Sequence, residues 1–216
     1  MTFEGINNVE LQGELCWPEL KYTGTGKALL KAKIRIPTTD QRSGEDRESY
    51  LRITAWEEFA TYLDSLAARS HVRISGRIQE RSFTNREGKR QSITEIIVNG
   101  VEKVESEEGI NRFHLRGELV WPELKQVGER GTNLFKSKVI IPFFREDDPE
   151  RQRKAYVRIT AWDELAEGLN GAGEGAVVDV TGHIQERTWT AETGQKRVFT
   201  DAVVTNFVTG AEAANV

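Results

Sequence analysis

The chain has 216 residues, with 30 Lys and Arg against 34 Asp and Glu, a formal charge of -4 and one cysteine. That length suits one or two domains, and the lone Cys16 excludes a disulfide framework or a Cys-rich metal site and favours a reducing compartment. No run approaches the roughly 20 apolar residues of a membrane helix, and the opening residues lack a secretion signal, so a globular, cytoplasmic protein is expected.

Alternation of period two starts at once. Val9, Leu11, Gly13 and Leu15 share one face of a first strand. Ala28, Leu30, Ala32, Ile34 and Ile36 then alternate with Lys27, Leu29, Lys31, Lys33 and Arg35. In a third run Leu51, Ile53 and Ala55 oppose Tyr50, Arg52, Thr54 and Trp56. From Glu57 to Ala68 the pattern changes: Phe59, Tyr62, Leu63 and Leu66 take helical spacing behind two acids that suit a helix N-terminus. Val72, Ile74, Gly76 and Ile78 resume the alternation. A turn-bearing loop follows, and then a strand from Ile93 to Val98. Five strands with a helix between the third and fourth is the order of the OB barrel; an unrelated barrel with the same strand count is the alternative.

The whole series then recurs. Gly13-Glu-Leu-Cys-Trp-Pro-Glu-Leu-Lys21 returns from Gly117 with eight matches in nine, and Tyr50-Leu-Arg-Ile-Thr-Ala-Trp56 returns from Tyr156 with six in seven. Gly76-Arg-Ile-Gln-Glu-Arg81 returns from Gly182 with five in six. A unit of roughly 100 residues is the size of a domain and not of a solenoid repeat. The predicted protein is all-β with one short helix per repeat: two tandem five-stranded OB-fold barrels, residues 1–105 and 106–216, with a seam in the acidic run Glu105–Gly109.

Bases have apolar faces and phosphates are anionic, so a surface for single strands needs open rings beside cations. If Leu51, Ile53 and Ala55 fill the barrel, their neighbours cannot. The outer face of copy one therefore carries Lys27, Lys31, Lys33 and Arg35 next to Tyr50, Arg52 and Trp56. In copy two it carries Lys136 and Lys138 next to Tyr156, Arg158 and Trp162. The bland alternative packs these rings under the helix or in a subunit contact. In the fourth strand copy one adds Arg73 and Arg77, whose counterparts are Asp179 and His183. The last loop offers Phe83, Arg86, Lys89 and Arg90 in copy one, and Trp189, Lys196 and Arg197 in copy two. Each set suits a finger that stacks and neutralises, or else an ordinary charged hairpin turn. Trp17 and Trp121 share parity with Leu15 and Leu119; they are expected to plug the barrel end or a subunit contact rather than stack bases. Copy one is expected to supply more of the salt-dependent affinity and copy two more of the stacking.

Copy by copy the chain resembles the bacterial single-stranded DNA-binding protein family, in the GELCWPELK opening, the YLRITAW strand leading into a helix, and the W-T-x-x-x-G-Q-K-R-type loop at Trp189. The resemblance implies sequence-tolerant binding and protection of single-stranded DNA in replication, recombination and repair. It points to Tyr50, Trp56 and Phe83, and to Tyr156, Trp162 and Trp189, as stacking residues. Phe143 or Phe144 would supply the aromatic that the family often places late in the second strand, where copy one has Thr38 and Thr39. It also implies a homodimer presenting four barrels and a nucleoid-associated location. The family's acidic tail with a hydrophobic tip has no match in Gly210–Val216, so recruitment by that route is not expected.

No nucleotide-loop, zinc-protease or nucleophile-elbow motif is present, and His71, His114 and His183 lack metal-ligand spacing. No enzyme, cofactor, metal, membrane or small-molecule substrate is expected. The alternatives are an OB-fold structural or adaptor protein of a replication or recombination complex, and a binder of single-stranded RNA.

Overall fold

A computed structural model describes residues 3–39, 46–84, 88, 90–145, 148–190 and 196–210. The first set of elements is β1 (Ile6–Tyr22), β2 (Ala28–Thr39), β3 (Asp46–Trp56), α1 (Glu57–Ser65), β4 (His71–Thr84) and β5 (Arg90–Lys103). The second is β6 (Ile110–Val127), β7 (Thr132–Arg145), β8 (Asp148–Trp162), α2 (Asp163–Ala172), β9 (Val177–Thr190) and β10 (Lys196–Thr209). In the first set the pairing runs β2-β3-β5-β4-β1 and closes through β2–β1; in the second, β6-β7-β8-β10-β9 closes through β6–β9. Each is a closed barrel in the OB order, with one parallel contact, β3 to β5 and β8 to β10.

By compactness the chain divides into two units. One takes Asn8–Arg112 with Gln185–Thr200; the other takes Met1–Asn7, Phe113–Ile184 and Asp201–Val216.

Alternation fills each barrel. Leu11, Leu15, Leu30, Ile34, Leu51, Ile53, Ile74 and Ile96 are buried in the first, and Leu115, Leu119, Phe135, Val139, Val157, Ile159 and Val180 in the second. Each such side chain contributes about 1.5–3 kcal/mol by leaving water, most of it offset by lost chain entropy. The helices are short. Ala60 and Leu63 of α1 and Ala166 and Leu169 of α2 are buried, against β2 and β3 and against β7 and β8 respectively.

β1 must pair with β4 along its first half and with β2 along its second, which brings main chains close at Gly13. A Cβ there would sit 2.2 Å from the Arg35 carbonyl oxygen, and one at Gly117 would sit 2.4 Å from that of Ile140. Only glycine fits this crossing in either barrel.

The strands run longer than alternation alone indicates. β4 continues to Thr84 and β5 begins at Arg90, so Arg81 to Thr84 are ladder residues, with Phe83 opposite Gln91. α1 stops at Ser65, three residues before the predicted end, because Leu66 is already extended.

Candidate nucleic-acid interface

The outer face across β1, β2 and β3 is built in rungs. Glu14 lies opposite Arg35, which lies opposite Tyr50; the next rung is Cys16, Lys33 and Arg52, and the next is Glu19, Lys31 and Thr54. The second barrel repeats them as Glu118, Ile140 and Tyr156; Val120, Lys138 and Arg158; and Glu123, Lys136 and Thr160. The predicted parity of Lys31, Lys33, Arg35, Tyr50 and Arg52, and of Lys136, Lys138, Tyr156 and Arg158, follows from this register. Lys27 precedes β2 and is exposed, its backbone N–H donating to Thr23 Oγ1 at 3.0 Å.

Parity fails at the two tryptophans. Between Cys16 and Glu19, β1 advances three residues while β2 advances two, and β6 does the same between Val120 and Glu123. This is a β-bulge. Its extra residue is Trp17 or Trp121, held at φ 49 or 54, where a non-glycine residue costs of order 1–2 kcal/mol. The bulge turns both rings outward: Trp17 is 68% exposed and Trp121 62%. They do not plug the barrel, as expected from Leu15; they stack on the tyrosines. Trp17 lies 5.5 Å from Tyr50 at 26°, and Trp121 lies 6.1 Å from Tyr156 at 10°. In the second barrel Lys138 Nζ stands 6.0 Å from the Trp121 ring centroid, and the Trp121 backbone N–H donates to Glu174 Oε1 at 3.2 Å.

The two Trp–Tyr platforms differ in their surroundings. Arg35 donates to Glu48 Oε1 at 2.6 Å and also bonds Glu14, while Tyr50 donates its hydroxyl to Glu48 Oε2 at 2.7 Å. The Tyr50 hydrogen bond, and then Arg35, hold the Glu48 carboxyl below its usual range, and the same bond raises the Tyr50 phenol. Arg35 is held firmly charged. In its compact unit Lys33 Nζ is 3.3 Å from Glu186 Oε2, and Arg52 Nε is 3.9 Å from Glu186 Oε1. Lys31 is exposed with no ion pair among the described residues. In the second barrel Ile140 replaces Arg35 and exposed Lys154 replaces Glu48, each opposite the same positions. Lys136 and Arg158 form no ion pair among the described residues. Burial, and then Glu14, raise the thiol of Cys16 on the Lys33 rung.

Other predicted positions lie apart from the platforms. Trp56 is six residues beyond Tyr50, roughly 20 Å along a strand. Between them Thr54 is covered: it donates to buried Glu95 at 2.7 Å, and Arg81 Nε is 3.6 Å from that carboxylate. Trp56 and half-buried Trp162 are the residues just before each helix. Arg73 works elsewhere, donating to Gln12 at 2.8 Å and pairing with Glu10 and Glu102 at 3.7 and 3.4 Å. Its replacement by Asp179 is not a simple loss of charge, because Gln12 becomes Arg116, which donates to Asp179 at 2.8 Å. Arg77 is exposed on the same outer side, and burial lowers the pKa of its counterpart His183. Phe144 is exposed and Phe143 half-buried opposite Arg153. Arg86 and Lys89 lie outside the described residues; for Phe83, Arg90, Trp189, Lys196 and Arg197 only the strand backbone is described.

Among the described residues no three His, Cys, Asp or Glu side chains group closely enough to hold a metal ion. No helix there is long and apolar enough to cross a membrane.

Fold and face together define a tandem OB protein with one open aromatic platform per barrel. A family model described as the single-strand binding protein family matches residues 6–104 and again 110–209, and the chain belongs to that family. It is 31% identical over 104 residues to the single-stranded DNA-binding protein of Streptococcus pneumoniae, covering 47% of this chain and 67% of that one. To the Clostridium tetani protein of the same name it is 27% identical over 135 residues, covering 61% and 83%. The solved wild-type single-stranded DNA binding protein from Thermus aquaticus has a TM-score of 0.77 at 20% identity, over 97% of this chain and 95% of that one. A deletion mutant of the same protein has a TM-score of 0.75 at 23% identity, over 96% and 95%. At such identities these likenesses show the fold.

Proposed function

We propose that this protein binds and covers single-stranded DNA without sequence preference, in replication, recombination and repair. The strand runs over the outer faces of β2–β3 and β7–β8. Bases stack on Trp17 with Tyr50 and on Trp121 with Tyr156, because every base offers a π-face regardless of sequence. Phosphates meet Lys31, Lys33, Arg52, Lys136, Lys138 and Arg158. The observation that carries this reading is the exposed tryptophan stacked on a tyrosine, recurring beside a lysine rung in both barrels. Large rings in open water are costly unless something flat covers them.

The chemistry is binding alone: the protein is not an enzyme and uses no cofactor. Family membership supports a homodimer presenting four barrels and a cytoplasmic, nucleoid-associated location. Titrating oligo-dT and following tryptophan fluorescence tests the function. Deep quenching whose affinity falls as salt rises is expected; an unchanged emission overturns it in favour of an adaptor role. The same titration with oligo-U separates DNA from RNA as the preferred strand, and mass in solution tests the dimer.

A further inference from the structure

The two platforms share backbone, bulge and ring pair, yet they differ at two adjacent positions that decide what a phosphate meets. In the first barrel both carboxylate oxygens of Glu48 are engaged, one by Arg35 and one by the Tyr50 hydroxyl. The Arg35 guanidinium is shared between Glu48 and Glu14. Glu14 also lies 3.6 Å from exposed Arg69, so the two carboxylates of this rung are matched by two guanidinium groups, and Arg35 has no carboxylate-free side left for a phosphate. In the second barrel Ile140 and Lys154 occupy the places of Arg35 and Glu48, and with Glu118 the rung is neutral.

A carboxylate pair on an arginine fork occupies the geometry that a phosphate would use. Arg35, a further cation that could anchor the strand in the first barrel beside Lys31, Lys33 and Arg52, is therefore already satisfied by the protein itself. From this we infer that Glu48 sets the order in which the barrels engage. The second barrel takes the strand first, and the first closes on it only when a backbone phosphate displaces Glu48 from Arg35. Glu48 is a positioning and competing residue, not a contact to DNA. The inference rests on the DNA-binding reading and goes further, since it assigns unequal roles to two copies of one fold.

Cys16 makes this measurable. It is the single cysteine of the chain and lies on the rung next to Arg35, opposite Lys33. Its alkylation therefore reports cover on the first barrel, whereas tryptophan quenching reports binding anywhere. With a short oligo-dT, quenching is expected to develop at lower DNA concentration than protection of Cys16. Glu48→Gln keeps the shape and removes the charge. It should move the protection midpoint to roughly three- to tenfold lower DNA, the size expected for one partly solvated charge, and steepen its salt dependence by about 0.7 for one more phosphate contact. Lys154→Glu should weaken quenching by a similar factor and carry the protection midpoint to higher DNA with it, because the first barrel closes only on a strand that the second already holds. Coincident midpoints in the wild type, or a protection midpoint that Glu48→Gln does not move, overturn the inference. A complete lack of quenching would instead remove the DNA-binding reading, and the inference with it. A far-UV spectrum and melting midpoint matching the wild type establish that each variant is folded.

Discussion

Two barrels cut from one repeat arrive at the same aromatic platform and at different electrostatics. In the first, cations are numerous and most are held: Arg35 by Glu14 and Glu48, Lys33 by Glu186, Arg73 by Gln12, Glu10 and Glu102, whereas Lys31 forms no ion pair among the described residues. In the second they are fewer: Arg116 and Arg153 are held by Asp179 and Asp148, while Lys136 and Arg158 form no ion pair among the described residues. The count of lysines and arginines alone favours the first copy for salt-dependent affinity, whereas the pairing at Arg35 and Lys33 underlies the opposite order proposed above. What a backbone phosphate senses is the charge left after neighbours have been satisfied.

The largest expected effect separates platform from scaffold. Trp121→Ala should weaken oligo-dT binding by about 1–3 kcal/mol, the usual worth of one stacked base, with Trp17→Ala costing less because the first barrel engages second. Anisotropy of a labelled oligonucleotide at fixed salt measures both. Equal losses would erase the contrast between the barrels.

The next effect concerns stability. Thr54 bonds Glu95 inside the first barrel wall, but in the second the matching acid is Asp201, one methylene shorter, and buried Thr160 Oγ1 has no hydrogen-bond partner among the described residues. Thr54→Val should destabilise by about 1–3 kcal/mol, whereas Thr160→Val should be neutral or stabilising. Urea unfolding curves of the two variants decide it. Smaller still, Lys31→Glu and Lys136→Glu should each flatten the plot of log affinity against log salt by about 0.7 per lost phosphate contact.

The mildest test is a titration. Burial and the Glu14 charge both disfavour the Cys16 thiolate, so the pH–rate profile of its alkylation should inflect above that of an ordinary thiol. Glu14→Gln removes only the smaller cause and should shift the inflection down part of the way. A profile inflecting at the ordinary value would place Cys16 in open solvent.

The barrel order was legible because period-two alternation holds through the strands, and the duplication was legible because loops alone changed length. The outward lysines followed from the same parity. Trp17 and Trp121 were misplaced for a local reason: one inserted residue reverses every face beyond it. The signal was the proline behind each tryptophan, since proline inside a strand marks a bulge or an edge. The neutralised arginines had no comparable signal. Glu14, Glu48 and Glu102 reach Arg35 and Arg73 across strands, and such pairs appear only once the register is known. The exchange of Gln12 and Arg73 for Arg116 and Asp179 likewise looks like lost charge until the two positions are seen to face each other.

The left-handed residue at each bulge has one more consequence. There the main chain, held at positive φ by the bulge, dictates where the side chain emerges. The position behaves as a socket: Phe or Tyr fitted at 17 or 121 would be delivered to the same spot without rebuilding the wall. Grip strength can therefore be retuned one plug at a time.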